Sequence, residues 1–343
     1  MDELLPVTCR GQGHDRQDRS NTAVNDVMGD FALTLVDSLD TFAIFGDKTG
    51  FENAVRETIQ FVKFDVDSHV QVFEVTIRML GGLLSGHLLA SSPRRKYKLH
   101  WYKGELLSLA QDLGHRLLPA FETATGLPYA RVHLQKGVID TANEETCSAG
   151  ASSLILELAT LSRLTDNPVF ENVAKRAFFA VWNRRSDLDL IGNTISVTSG
   201  NWLHAVGSTG AGIDSFYEYA AKAYILLGED DYWRVWQDAY SALQKHVRSS
   251  DGYWYRGASI QSGTIASVFV DSLSAFFPGV QTLVGDLESA IKSHMVYASQ
   301  WKKHKALPEL FDTARRQAVS YGYPLRPEFI ESNMYIYHVR RTF

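Results

Sequence analysis

The sequence predicts an all-α protein in which helical hairpins are arranged in a ring, with short β-strands in the loops between them. Three observations carry this. Apolar residues recur at helical spacing through most of the chain, whereas strand-like alternation is confined to short patches such as Gly192-Asn193-Thr194-Ile195-Ser196-Val197. Turn residues separate the periodic stretches, as in Thr125-Gly126-Leu127-Pro128 and Asp166-Asn167-Pro168. A loose rhythm also runs along the chain: a helix opens on a small or acidic residue, runs apolar, turns, and is followed by a more amphipathic helix. Its openings include Leu35-Val36-Asp37-Ser38-Leu39-Asp40, Gly212-Ile213-Asp214-Ser215-Phe216 and Val270-Asp271-Ser272-Leu273. Such pairs place apolar helices inside a ring and amphipathic ones outside.

In chain order the spacing predicts helices over 33–45, 72–89, 105–117, 153–164, 170–182, 215–227, 232–247, 268–273, 287–302 and 327–340. Residues 11–25 are polar and read as a surface loop. No composition shift or flexible linker marks a boundary, so residues 1–343 read as one domain.

With 45% hydrophobic and 21% charged residues, the chain can bury a sizeable core. A net charge of -5 gives no broad electrostatic reason to expect nucleic acid or an anionic membrane as partner. The one basic run, Pro93-Arg94-Arg95-Lys96-Tyr97-Lys98, is short and isolated and reads as a solvated loop. The N-terminus, Met1-Asp2-Glu3-Leu4-Leu5-Pro6, lacks the basic and apolar regions of a signal peptide. No later stretch reads as long and apolar enough to span a bilayer, so membrane association is not expected. Cys9 and Cys147 are too few and too far apart for a disulfide framework or a zinc site.

Several acids stand where chemistry would need them. Glu74 lies in the apolar run Val72-Phe73-Glu74-Val75-Thr76-Ile77-Arg78, where burial opposes its charge unless a partner is near. Arg78 is one turn away on the same face, and the pair taken alone is an ordinary i,i+4 ion pair. Asp214 follows the small-residue loop Gly207-Ser208-Thr209-Gly210-Ala211-Gly212-Ile213, where taken alone it is an ordinary helix N-cap, a position Asp strongly favours. Glu328 follows Pro327 in a first helical turn, where a negative charge suits the helix dipole. Glu309 in Leu307-Pro308-Glu309 and Asp271 in Val270-Asp271-Ser272 repeat the pattern of an acid at an element start. Helix starts in a hairpin ring can gather at one mouth, and separated carboxylates there suit glycoside hydrolysis. Aromatic residues at 12% offer sugar-stacking surfaces, although a scattered aromatic more often belongs to the core. No phosphate-binding glycine loop, His-Glu-x-x-His motif or Gly-x-Ser-x-Gly elbow occurs. His69, His87, His115 and His133 show no ligand spacing.

The blocks Leu33-Thr34-Leu35-Val36-Asp37-Ser38-Leu39-Asp40-Thr41, Val72-Phe73-Glu74-Val75-Thr76-Ile77-Arg78, Gly210-Ala211-Gly212-Ile213-Asp214-Ser215-Phe216-Tyr217-Glu218-Tyr219 and Tyr323-Pro324-Leu325-Arg326-Pro327-Glu328 resemble the signatures of glycoside hydrolase family 47, the class I α-1,2-mannosidases. The resemblance runs in order from residue 2 to residue 340. Cys9-Arg10-Gly11, Glu145-Thr146-Cys147-Ser148-Ala149-Gly150 and Phe276-Phe277-Pro278-Gly279 resemble the endoplasmic-reticulum degradation-enhancing branch. Ser272 stands where processing enzymes carry histidine, and Gly212 where the ER processing enzyme carries arginine.

The resemblance implies a seven-hairpin (α/α) barrel and an inverting, calcium-dependent α-1,2-mannosidase that trims high-mannose N-glycans of misfolded glycoproteins in the ER lumen. Glu74 becomes a candidate general acid, Asp214 and Glu328 candidates for the acid or base relay through water, and Glu309 a further catalytic carboxylate. Arg78, Asp271, Arg326 and Glu331 would support the pocket. Measured against the family, the chain reads as cut short at both ends: it opens without a signal peptide and stops at Phe343, before the last hairpin and its Thr-Glu-Ala-His calcium motif. No calcium ligand is therefore expected in this chain. Cys9 would lack its usual partner, a Cys9–Cys147 bridge being the alternative, and an oxidoreductase partner acting through a cysteine enters on the same resemblance. A glycan-binding or client-binding factor that does not hydrolyse is the rival from another class. A helical toroid of the prenyl-transfer or cyclase type would need an Asp-rich metal motif or zinc ligands, and neither occurs.

Overall fold

The computed structural model describes residues 1–18, 20–93, 96–139 and 144–342. Helical hairpins dominate and the strands are short, as the sequence predicts. Residue contacts gather into two compact units. The first comprises Met1–Thr146, Leu154–Ala180 and Val197–Ser199, and the second Cys147–Ser153, Val181–Ser196 and Gly200–Phe343.

In the first unit, Glu3–Leu5 pairs antiparallel with Arg10–Gln12. Beside it the buried Asp2 carboxylate accepts the N–H groups of Asp30, Phe31 and Leu33 at 2.7, 2.9 and 3.1 Å. Asp30 and Ala32 sit at φ of 62° and 60°, a state that non-glycine residues keep only when their surroundings hold it. Asp2 supplies that hold and so fixes the start of the helix Leu33–Asp37. The helix expected over 33–45 breaks at Ser38 and resumes as Leu39–Ile44. Lys48–Phe61, absent from the sequence reading, buries Phe51, Ala54, Val55 and Thr58, with Asp47 capping it through the Gly50 N–H. In the segment 11–25, which the sequence reads as loop, Thr22–Asn25 forms one helical turn.

Val72–Ser91 is one continuous helical run that widens into a π turn at Thr76–Leu80. At 20 residues it is long and apolar enough to cross a membrane, contrary to the sequence reading. Its apolarity is used inside its own unit, where Val72, Val75, Met79, Leu80, Leu83 and Leu84 are buried. Gly82 is required there, since a Cβ would stand 2.7 Å from the Val36 carbonyl oxygen. The end of the run, Gly81–Ser91, packs on Glu105–Leu117, which in turn packs on Ile155–Thr165. In the basic run, Arg94 and Arg95 lie outside the described residues, and Lys96-Tyr97 form a turn.

In the second unit, Asp214–Leu227 packs against Asp230–Ala242, and Phe277–Leu283 against both Leu287–His304 and Glu328–Thr342. The strand-like patch near 192–197 contains Thr194–Ser196, paired with Trp202–His204. The helix expected over 268–273 is not formed. Phe269–Asp271 is a strand, followed by the 3-10 turn Ser272–Phe276. The physical reason is alternation: Val270 is buried between the exposed Phe269 and a half-buried Asp271, and Asp271 then caps the turn through the Ser274 N–H. This strand pairs with Leu310–Asp312, which pairs with Gln317–Ser320. Val270, Ala275, Tyr297, Leu307 and Phe329 form a core cluster behind it. A buried amide, Gln281, meets the hydroxyls of Tyr240, Tyr255 and Ser293 at 3.0, 2.8 and 2.8 Å. No disulfide joins Cys9 to Cys147.

Candidate active site

The three-stranded sheet of the second unit positions two of the acids. Asp271 ends the strand Phe269–Asp271, and Glu309 immediately precedes the neighbouring strand. Ser272 joins them, its N–H donating to the Glu309 carbonyl at 3.1 Å and its Oγ to Glu309 Oε2 at 2.7 Å. Arg326 donates from Nε to both Glu309 oxygens at 3.1 and 3.2 Å, and from Nη2 to Oε1. The guanidinium beside it, followed by the Ser272 hydroxyl, holds the Glu309 carboxyl below the usual range despite partial burial. Arg326 is delivered by a strained backbone, with Leu325 at φ 54° and its side chain largely exposed.

Asp271 turns its other oxygen to the small-residue loop. The Ala211 N–H donates to its Oδ2 at 3.0 Å, and a Cβ on Gly210 would lie 2.1 Å from that atom. The glycine is therefore needed for close approach. The same loop ends at Asp214, first residue of its helix, whose Oδ1 accepts the Ser215 N–H at 2.8 Å. That bond favours the charged form, but burial outweighs it, and neighbouring Asp271, Glu218 and Glu328 add repulsion. The Asp214 carboxyl is pushed up to about 7.

Glu328 opens the helix Glu328–Thr342, and burial raises its carboxyl above the ordinary value, against the pull of Arg326. Its Oε2 is buried with no hydrogen-bond partner. Glu331, one turn on, is also raised by burial and lies 3.8 Å from Lys222 Nζ, which bonds Glu218 at 2.5 Å. The second unit thus brings together Asp214, Asp271, Glu309, Arg326, Glu328 and Glu331. Glu218 and Lys222 were missed in the sequence reading, although their i,i+4 spacing one turn after Asp214 was there to be seen.

Glu74 belongs to the first unit. Its Oε2 accepts Arg78 Nε at 2.9 Å, and Arg78 Nη1 reaches to 3.9 Å from Asp37 Oδ2. Burial raises the Asp37 carboxyl, with Arg78 opposing. Asp37 and Arg78 line one open groove with Thr34, Ser38 and Thr41. Asp37 carried no role in the sequence reading, although it sits in the quoted Leu33–Thr41 block.

Among the described residues, no three His, Cys, Asp or Glu side chains converge to hold a metal ion.

The sequence matches the profile of glycosyl hydrolase family 47 over residues 1–342. It is 49% identical over 340 residues to ER degradation-enhancing alpha-mannosidase-like protein 1 of Schizosaccharomyces pombe, covering 99% of this chain and 43% of that protein. It is 45% identical over 345 residues to Alpha-mannosidase I MNS5 of Arabidopsis thaliana, covering 99% of this chain and 60% of that protein. The chain therefore spans about half the length of these relatives. Among solved structures it resembles the alpha-1,2-mannosidase from Trichoderma reesei with a TM-score of 0.78 and 26% identity, over 90% of this chain and 72% of that one. With its signature acids placed in the two units as described, and this match over nearly its whole length, the chain belongs to glycosyl hydrolase family 47.

Proposed function

We propose that this chain carries the acid-bearing part of an α-1,2-mannosidase that trims high-mannose N-glycans of misfolded glycoproteins for degradation from the endoplasmic reticulum. The observation that carries the reading is the division of protons in the second unit. Asp214, pushed up to about 7, and the raised Glu328 stand beside a Glu309 held low by Arg326. Carboxyls with opposed environments in one cluster are what acid–base hydrolysis requires. The relatives named for ER degradation and for mannosidase activity support the substrate class and the compartment.

In the inverting reaction, a protonated carboxyl gives its proton to the glycosidic oxygen as the C1–O bond breaks. Water attacks C1 from the opposite face and loses its proton to a carboxylate. Within the second unit we assign the leaving-group proton to the Asp214–Glu328 pair, raised by burial, while Glu74 of the first unit stays the alternative donor that the family resemblance suggests. Glu309, held charged by Arg326 and Ser272, is assigned the proton of the attacking water. Calcium enters only through the family resemblance. No step is routed through the ion.

The test is mannose release from a high-mannose N-glycan by this chain and by the chain lengthened to the span of its relatives, with and without calcium, each also as Glu74→Gln and Asp214→Asn. Release that both substitutions abolish supports the assignment. Glycan binding without release at either length would replace it with the non-hydrolytic reading.

A further inference from the structure

Away from these acids, the first unit holds a cavity of about 140 Å³ beside the hairpin formed by His69–Gln71 and Arg131–His133. It is room for about five waters at ~30 Å³ each, which is also the scale of a single pyranose ring. Its charges are already matched in pairs. Arg131 grips Asp26 with two bonds of 2.6 and 2.7 Å, and Arg16 bonds Asp30 at 2.6 Å. His133 accepts the N–H groups of Gln135 and Lys136 on Nδ1, so its Nε2–H donates to Asp67 at 2.9 Å and the ring is a neutral tautomer. An anion would compete with these carboxylates for the arginines, and a metal ion would find Asp26 and both nitrogens of His133 engaged.

A neutral polyol meets no such competition. The Asp26–Arg131 pair still has unused carboxylate lone pairs next to unused guanidinium N–H groups, side by side, as two neighbouring hydroxyls require. His14 lines the cavity with a buried Nδ1 that has no hydrogen-bond partner. The His69 and His133 rings stack at 6.5 Å between centroids, and Ile139 adds an apolar side for a sugar C–H face.

We propose that this cavity is a second saccharide site, taking one hexose of a glycan through Asp26, Arg131 and His14, apart from the candidate catalytic acids. That the hexose is mannose rests on the mannosidase reading above. The strand His69–Gln71 runs directly into the helix of Glu74, so the site would hold a glycan arm next to the element that carries the candidate acid.

The test uses the whole chain with 15N-labelled histidine rings, titrated separately with methyl α-mannoside, methyl α-glucoside and inorganic phosphate. The His14 signal is identified by its loss in His14→Phe, which removes no side-chain bond. We expect methyl α-mannoside to move the His14 signal, and affinity read at the His133 signal to weaken about five- to tenfold in His14→Phe, the loss of one or two hydrogen bonds. Ile139→Asn, at an exposed position, should also weaken it by removing the apolar side. A glucoside response equal to mannoside keeps the saccharide site and overturns only the choice of mannose. Phosphate moving His14 where neither glycoside does, or no glycoside response, overturns the site. The same titration in Asp214→Asn separates the two readings: a His14 response that persists while hydrolysis is absent leaves this site standing, and hydrolysis without a His14 response removes only this site.

Discussion

Replacing Asp214 by Asn should stabilise the protein at neutral and alkaline pH while abolishing mannose release. Burial moves the Asp214 carboxyl from 3.8 to about 7, so the folded protein resists ionising it. A carboxyl raised in this way contributes its full stability below pH 3.8, and that contribution is lost as pH rises towards 7. The span from 3.8 to about 7, at ~1.4 kcal/mol per tenfold, is about 4 kcal/mol. Asn keeps the Ser215 N–H bond through its carbonyl oxygen but loses a negative charge at a helix start, which takes back about 0.3–1 kcal/mol. Some solvent still reaches the side chain, so the net gain above pH 7 should be about 2–3 kcal/mol. Urea unfolding of both proteins at pH 4, 6 and 8 measures it. The Asn variant should be no more stable at pH 4, intermediate at pH 6, and more stable at pH 8. A gap that stays constant across pH, or an Asn variant less stable at pH 8, would refute the reasoning.

Glu309 gives the opposite sign, because its lowered carboxyl stabilises above the ordinary value and loses that stability as pH falls through the folded one. Arg326→Met should therefore lower stability by about 1–2 kcal/mol at pH 7, with the deficit shrinking below pH 4 in the same urea series. Gly210→Ala puts a methyl 2.1 Å from Asp271 Oδ2 and should cost about 1–3 kcal/mol and most of the mannose release, read by thermal melting and by sugar assay. Gln281→Leu leaves the Tyr240 and Tyr255 hydroxyls without their amide donor, while the Ser293 hydroxyl keeps the Ser289 and Ala290 carbonyls, and should cost about 1–3 kcal/mol in urea.

Much of this was legible in the sequence for a physical reason. Helices long enough to repeat their period, such as Glu105–Leu117 and Asp214–Leu227, announce themselves, and acids at element starts stand out against apolar neighbours. Lys48–Phe61 did not, because a glycine in its first turn and a polar majority blur the repeat. The strand at Phe269–Asp271 was misread as helix because three residues are too few to distinguish the two periods, and its partner lies some forty residues on. The segments of the two compact units interleave along the chain, so no single linker divides them. Within the site, the identities of the acids were visible but their environments were not. That Glu309 is tied to Arg326 and Ser272 while Glu328 keeps an oxygen without a partner depends on where the chain folds back, which local spacing does not encode.

The π turn at Thr76–Leu80 gives the Glu74 helix an uneven tolerance to changes in length. A π turn is an α-helix that has absorbed one extra residue, so removing one residue there can restore a regular helix without rotating the turns beyond it. Gly82 would keep its place against Val36, and Gly86 its place against Leu39. The same removal a few residues later, between Gly82 and Gly86, has nothing to absorb it. Every subsequent side chain would turn by about 100°, carrying His87 into the slot where even a methyl would lie 2.9 Å from Leu39. Among homologues, single-residue length differences in this helix should collect in the wide turn and be absent after it, and a deletion library selected for folding would reveal the same boundary.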